Sequence, residues 1–308
     1  MIRPAKFLPV LLLLTSALAH AEAQRGIMVR EAIIRITPDD SAQKIGATGR
    51  GRQVVILGQN HDWVNVFANV DQGRDITGWI MDKGVVRTTT PNGDRIVFAA
   101  AEDSEDQASR SHGRPGAAQD AMRLYASLAE LLPKSPLAGE ALYRSADIRW
   151  QIESADVMSL PSAKEQDPLL RSSIDEDHMR EVIKKFPRTK WADLAAYNLL
   201  DNKLCGDWQG QSKCPERETE IYEKYVREHP QSPKAAEALY NAAWRQGALI
   251  QIYKTENEPA RSDQAKAKAT GLANEVAKTY PDSTWANRAL LLAYMIEQNI
   301  PTYGSAAE

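Results

Sequence analysis

The segment from Asp175 to His178 combines three carboxylates with a titratable ring, which are groups that can bind a divalent metal. Consecutive residues on a helix point in different directions, so these four side chains cannot easily converge on one ion. Acidic residues at the start of a helix are also favoured by the helix dipole. We therefore interpret the segment as a helix start and predict no metal site.

The sequence lacks the motifs of common catalytic sites. It contains no GxSxG, no HExxH and no phosphate-binding loop with its lysine. The segment 46–51 (GATGRG) is glycine-rich, but it lies between predicted strands and not before a helix N-terminus that could hold a phosphate. We interpret it as a turn, assign no catalytic residue and no cofactor, and expect that the chain is not an enzyme.

Cys205 and Cys214 are the two cysteines of the chain, and few residues separate them. In an oxidising compartment we expect them to form a disulfide. Closing so short a loop stabilises the fold by roughly 2–3 kcal/mol. A metal or redox role is the less favoured alternative, because there is no CxxC motif and no histidine at a ligand spacing.

Residues 1–23 have the organisation of a cleavable secretory signal, with two basic residues before the apolar stretch 7–19. That stretch is shorter than the roughly 20 residues that a membrane-spanning helix needs. No cysteine follows it as a lipoprotein acylation site. We predict cleavage after Ala21 or Ala23 and a soluble protein without a membrane span, either periplasmic or secreted.

The net charge of the chain bears on its partners, and its length bears on the number of domains. The 308 residues carry a net charge of −3, with both signs spread along the chain. This gives no basic field that would bind nucleic acid by counterion release, so we expect no nucleic-acid partner. The length suits one large domain or two ordinary ones.

Residues 25–88 contain short apolar runs separated by turn formers, which predicts short strands and a small β-barrel. The order and spacing of Gly51, Trp63, Gly78 and Trp79 resemble those of a bacterial SH3 (SH3b) domain. One departure is Ala-Ile-Ile-Arg where the family usually carries Leu-Asn-Val-Arg. The resemblance implies an SH3-like barrel and suggests binding to the cell wall.

Trp63 and Trp79 are the candidate ligand-binding residues of this barrel, since aromatic faces stack on sugars and peptides. Aromatic residues at these positions also serve for packing in the SH3b family. We therefore favour a core role for both tryptophans over ligand binding.

The segment 89–117 is rich in glycine, proline, threonine and acidic residues. Such a composition buries too little apolar surface to offset the entropy of ordering, and we predict a flexible linker. The apolar run 96–98 interrupts it. That run could add a last strand to the barrel or dock on the helices.

From residue 118 to 298, four prolines mark a repeat: Pro133, Pro187, Pro230 and Pro281. Alanine stands five and eight positions after each proline, and a large residue stands ten positions after it. Small residues let helices approach closely, and the large residue fills the next layer. Apolar residues spaced at i, i+4 precede each proline, so every unit is predicted to be helix, turn, helix.

This repeat is similar to the tetratricopeptide-like units of periplasmic scaffolds, including outer-membrane assembly lipoproteins and Tol-Pal accessory proteins. The prolines lie 43 to 54 residues apart, more than the usual period of about 34, so longer connections are expected. The resemblance implies a solenoid over 118–298 that binds protein, followed by a tail at 299–308.

The predicted fold is therefore multidomain α+β, a small SH3-like β-barrel followed by an α-helical tetratricopeptide-like solenoid. We expect a non-catalytic envelope scaffold that binds a protein partner through its repeats. The alternative is peptidoglycan binding through the barrel. A wall hydrolase is the weakest hypothesis, because the repeats leave no room for a catalytic domain.

Overall fold

The computed structural model describes residues 24–70 and 73–304, so the predicted signal at 1–23 lies outside the described residues. An antiparallel sheet comes first in this part of the chain and a series of α-helices follows it. The α+β layout predicted from the sequence is confirmed.

The sheet has seven strands within the described residues, in the order β3-β2-β6-β5-β4-β1-β7. Their bounds are β1 Arg25–Met28, β2 Ala32–Arg35, β3 Lys44–Thr48, β4 Gln53–Asn60, β5 Trp63–Val70, β6 Arg74–Met81 and β7 Val85–Arg87. The edge strands β3 and β7 do not pair, so the sheet of the predicted small β-barrel is not closed. Helices cover the sheet edge at β7, and Val86 of that strand is buried in the core that the helices form.

One face of the sheet carries its hydrophobic core. Alternate residues of β5 are buried there, among them Val64 and Val66, and they pack with Ile34 and Ile80 from neighbouring strands. This alternation follows from strand geometry, in which successive side chains point to opposite faces. The residues between the buried ones therefore belong to the outer face.

Helix α1 (Gly93–Ser109) occupies most of the segment predicted to be a flexible linker, and that prediction is wrong. Val97, Phe98 and Ala101 recur at helical spacing and are buried. Charged residues flank this run, with Asp94 and Arg95 before it and an acidic stretch from Glu102 after it, so composition hides a helix that periodicity reveals. Of the two alternatives for 96–98, docking on the helices is the one observed.

The remaining α-helices of the described residues form four consecutive helical hairpins, each with one of the four prolines in its turn. The helices are α2 Ala117–Leu131, α3 Ala138–Met158, α4 Asp177–Lys185, α5 Lys190–Asn198, α6 Lys213–Glu228, α7 Ala235–Thr255, α8 Pro259–Thr279 and α9 Thr284–Glu297. The repeat alanines are all buried: Ala138, Ala141, Ala192, Ala195, Ala235, Ala238, Ala286 and Ala289. The predicted unit of helix, turn and helix is confirmed for all four.

The sheet and the first helices share one core. Ile27 of β1 lies in the same buried cluster as Leu124 of α2. Gly51 has a φ of +74°, and a Cβ atom there would lie 2.5 Å from the Cβ of Arg123. Ser127 Oγ donates to the Gly51 carbonyl at 2.8 Å. The sheet is therefore seated directly on α2.

The Cys205 and Cys214 sulfur atoms are 2.06 Å apart, a disulfide distance. The loop between these residues is also held by the buried carboxylate of Glu218. One oxygen of that carboxylate accepts from the Cys205 N–H at 2.8 Å. The other accepts from Arg245 Nε at 2.6 Å.

The first part of the predicted tail, 299–304, follows α9 without forming a helix. Tyr303 packs on Trp208, with 5.4 Å between their ring centroids. The last residues, 305–308, lie outside the described part of the chain. No helix among the described residues is both long enough and apolar enough to cross a membrane.

Candidate functional site

The two candidate tryptophans lie on the outer face of the sheet. In the β5–β6 register Trp63 is opposite Met81 and Trp79 is opposite Asn65. Both tryptophans alternate with buried core residues and are themselves part-exposed. Neither belongs to the buried core cluster of the sheet, and their binding role stays a prediction.

Trp63 lines a surface groove of about 380 Å³, which we call the Trp63 groove. Exposed apolar side chains of Ile33 and Met81 line it as well. Its charged lining residues are Arg30, Glu31, Arg35, Asp40, Lys44 and Lys83. Trp79 does not line it. An apolar surface with a charged rim is suited to binding a sugar or peptide, because aromatic faces stack while polar groups fix orientation.

The acidic segment at Asp175 forms the start of α4, as interpreted from the sequence. The Asp175 carboxylate accepts a hydrogen bond from the Asp177 N–H at 2.9 Å. Glu176 accepts from Asn202 Nδ2 at 3.1 Å and pairs with Arg180. Within the described residues no three His, Cys, Asp or Glu side chains are grouped so as to hold a metal ion.

Successive helical hairpins meet at a recurrent side-chain joint. In each joint, the residue ten positions after one proline contacts the residue four positions after the next. The pairs are Tyr143 with Trp191 (ring centroids 5.7 Å apart), Tyr197 with Lys234 (Nζ 5.3 Å from the ring centroid) and Tyr240 with Trp285 (5.0 Å). The sequence repeat contains both positions of each joint, but their contact depends on how the hairpins stack.

The equivalent residue of the fourth hairpin is Leu291, and its side chain is 58% exposed. Tyr294 lies four residues after Leu290 and three after Leu291 on the same helix. Leu290 and Tyr294 are 53% and 55% exposed. We call these three residues the open-end surface. The sequence predicted that the large residue fills the next layer, and among the described residues no further hairpin follows α9.

The opposite end of the array is covered by α1. Phe98 packs edge-to-face on Tyr125, with ring centroids 5.3 Å apart, and the Arg144 guanidinium lies 5.4 Å from the Phe98 ring centroid. Tyr125 Oη donates to Glu105 at 2.8 Å. Burial raises the pKa of the Tyr125 hydroxyl well above its ordinary value, so it remains a donor.

Comparison with known proteins identifies no relative, since neither a family model nor a curated protein matches the chain. Among solved structures, one titled "DHF119 filament" aligns over 68% of this chain and 97% of that chain, at 13% identity and a TM-score of 0.23. A similarity at this level does not bear on fold or function.

Proposed function

We propose that the chain is a non-catalytic binding protein of the cell envelope whose tetratricopeptide-like repeats hold a protein partner. The open-end surface is the observation that carries this proposal. At each internal joint the equivalent position contacts the next hairpin, whereas Leu291 is 58% exposed within the part of the chain that the structure describes. Three adjacent large apolar side chains left exposed are characteristic of an interaction site.

The geometry of the internal joints indicates what covers this surface. Each joint places an aromatic or long side chain of the next helical hairpin against the preceding one. A partner helix bearing such a side chain would extend the stack by one layer. The proposed occupant is therefore a helix of another envelope protein.

The proposal is tested by affinity purification from the native envelope with Leu291→Glu/Tyr294→Glu as bait. The matched control is Leu57→Glu, since Leu57 lies on β4 and is 57% exposed. We expect one defined protein to be recovered with the wild type and the control and lost with the double variant. Recovery with all three baits, or with none, would contradict the proposal.

Self-association is distinguished by sedimentation equilibrium of the purified chain. We expect a monomer for the wild type. A dimer that dissociates in Leu291→Glu/Tyr294→Glu would assign the open-end surface to a second copy and refute the envelope-partner proposal.

Peptidoglycan binding through a bacterial SH3-like sheet is the second candidate, and the Trp63 groove favours it. The test is cosedimentation with purified sacculi. It requires the full chain, because the sheet shares its core with α1 and α2. We expect the wild type and Trp79→Ala to pellet and Trp63→Ala to stay in the supernatant, since Trp79 lies outside the groove. A wild type that does not pellet would refute this candidate.

The envelope location is part of the proposal. The predicted signal and the disulfide-distance cysteine pair support it, because disulfides persist in oxidising compartments. Signal cleavage is checked by mass spectrometry of the mature N-terminus, which we expect at Glu22 or Gln24.

A further inference from the structure

The Trp63 groove has more cationic than anionic lining residues. Four of its lining side chains are cationic, and two are carboxylates, Glu31 and Asp40. Arg35 donates from Nη1 to the Ala42 carbonyl at 2.6 Å, and it also interacts electrostatically with Asp39. Arg35 therefore has partners within its own β-hairpin. The three remaining cations are Arg30, Lys44 and Lys83.

These three cations have no ion-pair partner in the part of the chain that the structure describes. All three are exposed. They outnumber the two carboxylates of the groove, although the chain as a whole carries a net charge of −3. A concave site with an excess of one sign of charge attracts ligands of the opposite sign. The groove is therefore suited to an anionic ligand.

Gly84 brings two of these cations together. It lies in the turn between β6 and β7, directly after Lys83, and its φ is +95°. A Cβ atom at this position would meet Cγ and Cδ of Arg30, so the Arg30 stem lies against the turn. The Val29 N–H donates to the Gly84 carbonyl at 3.0 Å. The backbone segments that carry Arg30 and Lys83 are therefore held together before a ligand binds.

The cations border an apolar surface. Trp63 and Met81 lie opposite each other in the β5–β6 register, and Ile33 of β2 is 42% exposed in the same groove. Met81 is the last residue of β6, and Lys83 lies in the turn that follows it. An aromatic face stacks on a ring or an apolar group while a neighbouring cation pairs with a carboxylate. A ligand that has a carboxylate beside an apolar face matches this arrangement.

We infer that the Trp63 groove recognises the free carboxylate groups of peptidoglycan, which pair with Arg30, Lys44 and Lys83 while Trp63 stacks beside them. Charge complementarity carries this inference, because a cation forms stronger hydrogen bonds to a carboxylate than to a neutral sugar hydroxyl. The inference rests on the second candidate function, peptidoglycan binding, and adds the chemical group that is recognised. It does not involve the open-end surface.

The test compares purified sacculi with sacculi whose free carboxylates have been converted to neutral amides by carbodiimide and methylamine. The apparent Kd of the full chain is measured by cosedimentation with increasing amounts of each, at physiological ionic strength. We expect amidation to raise the Kd of the wild type about tenfold or more, because charge-assisted hydrogen bonds are lost. Arg30→Gln/Lys44→Gln/Lys83→Gln should raise the Kd on untreated sacculi by a similar factor and should bind both kinds of sacculi equally. Amidation and the triple substitution remove the same interaction, so their effects do not add.

The control is Lys184→Gln/Arg217→Gln/Lys278→Gln. It also replaces one arginine and two lysines that are exposed and have no ion-pair partner among the described residues. Its Kd on untreated sacculi should match that of the wild type. An equal weakening by this control would show a general attraction between charges and would overturn the inference.

Lys44→Gln/Lys83→Gln leaves the packing of Arg30 on Gly84 intact, and it is the decisive variant if circular dichroism shows that the triple variant unfolds. It should raise the Kd on untreated sacculi in the same direction. Equal binding of the wild type to both kinds of sacculi, or wild-type affinity in the groove variants, would overturn the inference and leave peptidoglycan binding in place. A wild type that pellets with neither kind would refute both.

Discussion

The two ends of the helical array differ in whether their terminal hairpin is covered by other parts of the chain. At the first hairpin, α1 and the sheet cover α2 and bury Phe98 against Tyr125. At the fourth, α9 leaves Leu291 and Tyr294 more than half exposed. Stacked repeats need a polar outer face where they end in solvent. Among the described residues, then, one end of the array is covered by α1 and the sheet, and the other end presents exposed apolar side chains.

The largest effect is expected at the covered end. Phe98→Ala should lower the free energy of unfolding by about 3–5 kcal/mol, because it leaves a cavity between α1 and α2. Urea unfolding followed by circular dichroism measures this. Ile96→Ala is the control on the same helix, since Ile96 is part of its exposed face. Equal effects for the two variants would show that α1 does not cap the array.

Gly51→Ala tests whether the sheet is part of that cap. The φ of Gly51 is +74°, and an added Cβ would lie 2.6 Å from the backbone nitrogen of Leu124. The variant should cost about 1–3 kcal/mol from backbone strain, with a further cost from the clash. Gly49→Ala is the matched control, because nothing lies within 4 Å of its Cβ position. A Gly51→Ala melting temperature equal to that of Gly49→Ala would mean that the sheet is not seated on α2.

Tyr240→Leu places at the third hairpin the residue type that the fourth carries at the equivalent position. It removes the aromatic pair with Trp285, whose centroid is 5.0 Å away. The loss should be about 0.5–1.5 kcal/mol in urea unfolding. An unchanged midpoint would show that the joint depends on packing area and not on ring geometry.

The smallest effect is expected at the open end. Leu291→Ala should change the stability of the isolated chain by no more than about 0.5 kcal/mol, because the side chain is exposed. The same urea titration measures it. A loss as large as that of Tyr240→Leu would mean that the surface is covered in solution, and the two ends would then be alike.

The helical hairpins could be predicted from the sequence because their signal is local and steric. A close helix contact needs a small residue, and alanines at fixed distances from each proline record that need. The α1 prediction failed because composition was used where Val97 and Ala101, four residues apart, already indicated a buried face. The strand face that carries Trp63 is also indicated by periodicity. Trp63 alternates with the apolar Val64 and Val66, which places it on the opposite face of the strand.

The contact between the sheet and α2 had no comparable signal. Gly51 and Leu124 are far apart in sequence, and only the packing of the sheet on α2 brings them together. The open sheet was equally hidden, because the burial of Val86 in the helical core depends on where α1 packs. Contacts between distant segments are decided by the tertiary fold and leave no periodic trace in either segment.

Helix α1 fixes how the sheet is oriented relative to the helical hairpins. With a flexible linker, the sheet and the helical hairpins would sample many relative orientations. Helix α1 shares a buried core with β1 and β7 and therefore makes the connection between sheet and hairpins rigid. A partner bound at α9 would then have a fixed orientation relative to a ligand bound at the sheet. The helical array would determine that orientation as well as the distance between the two.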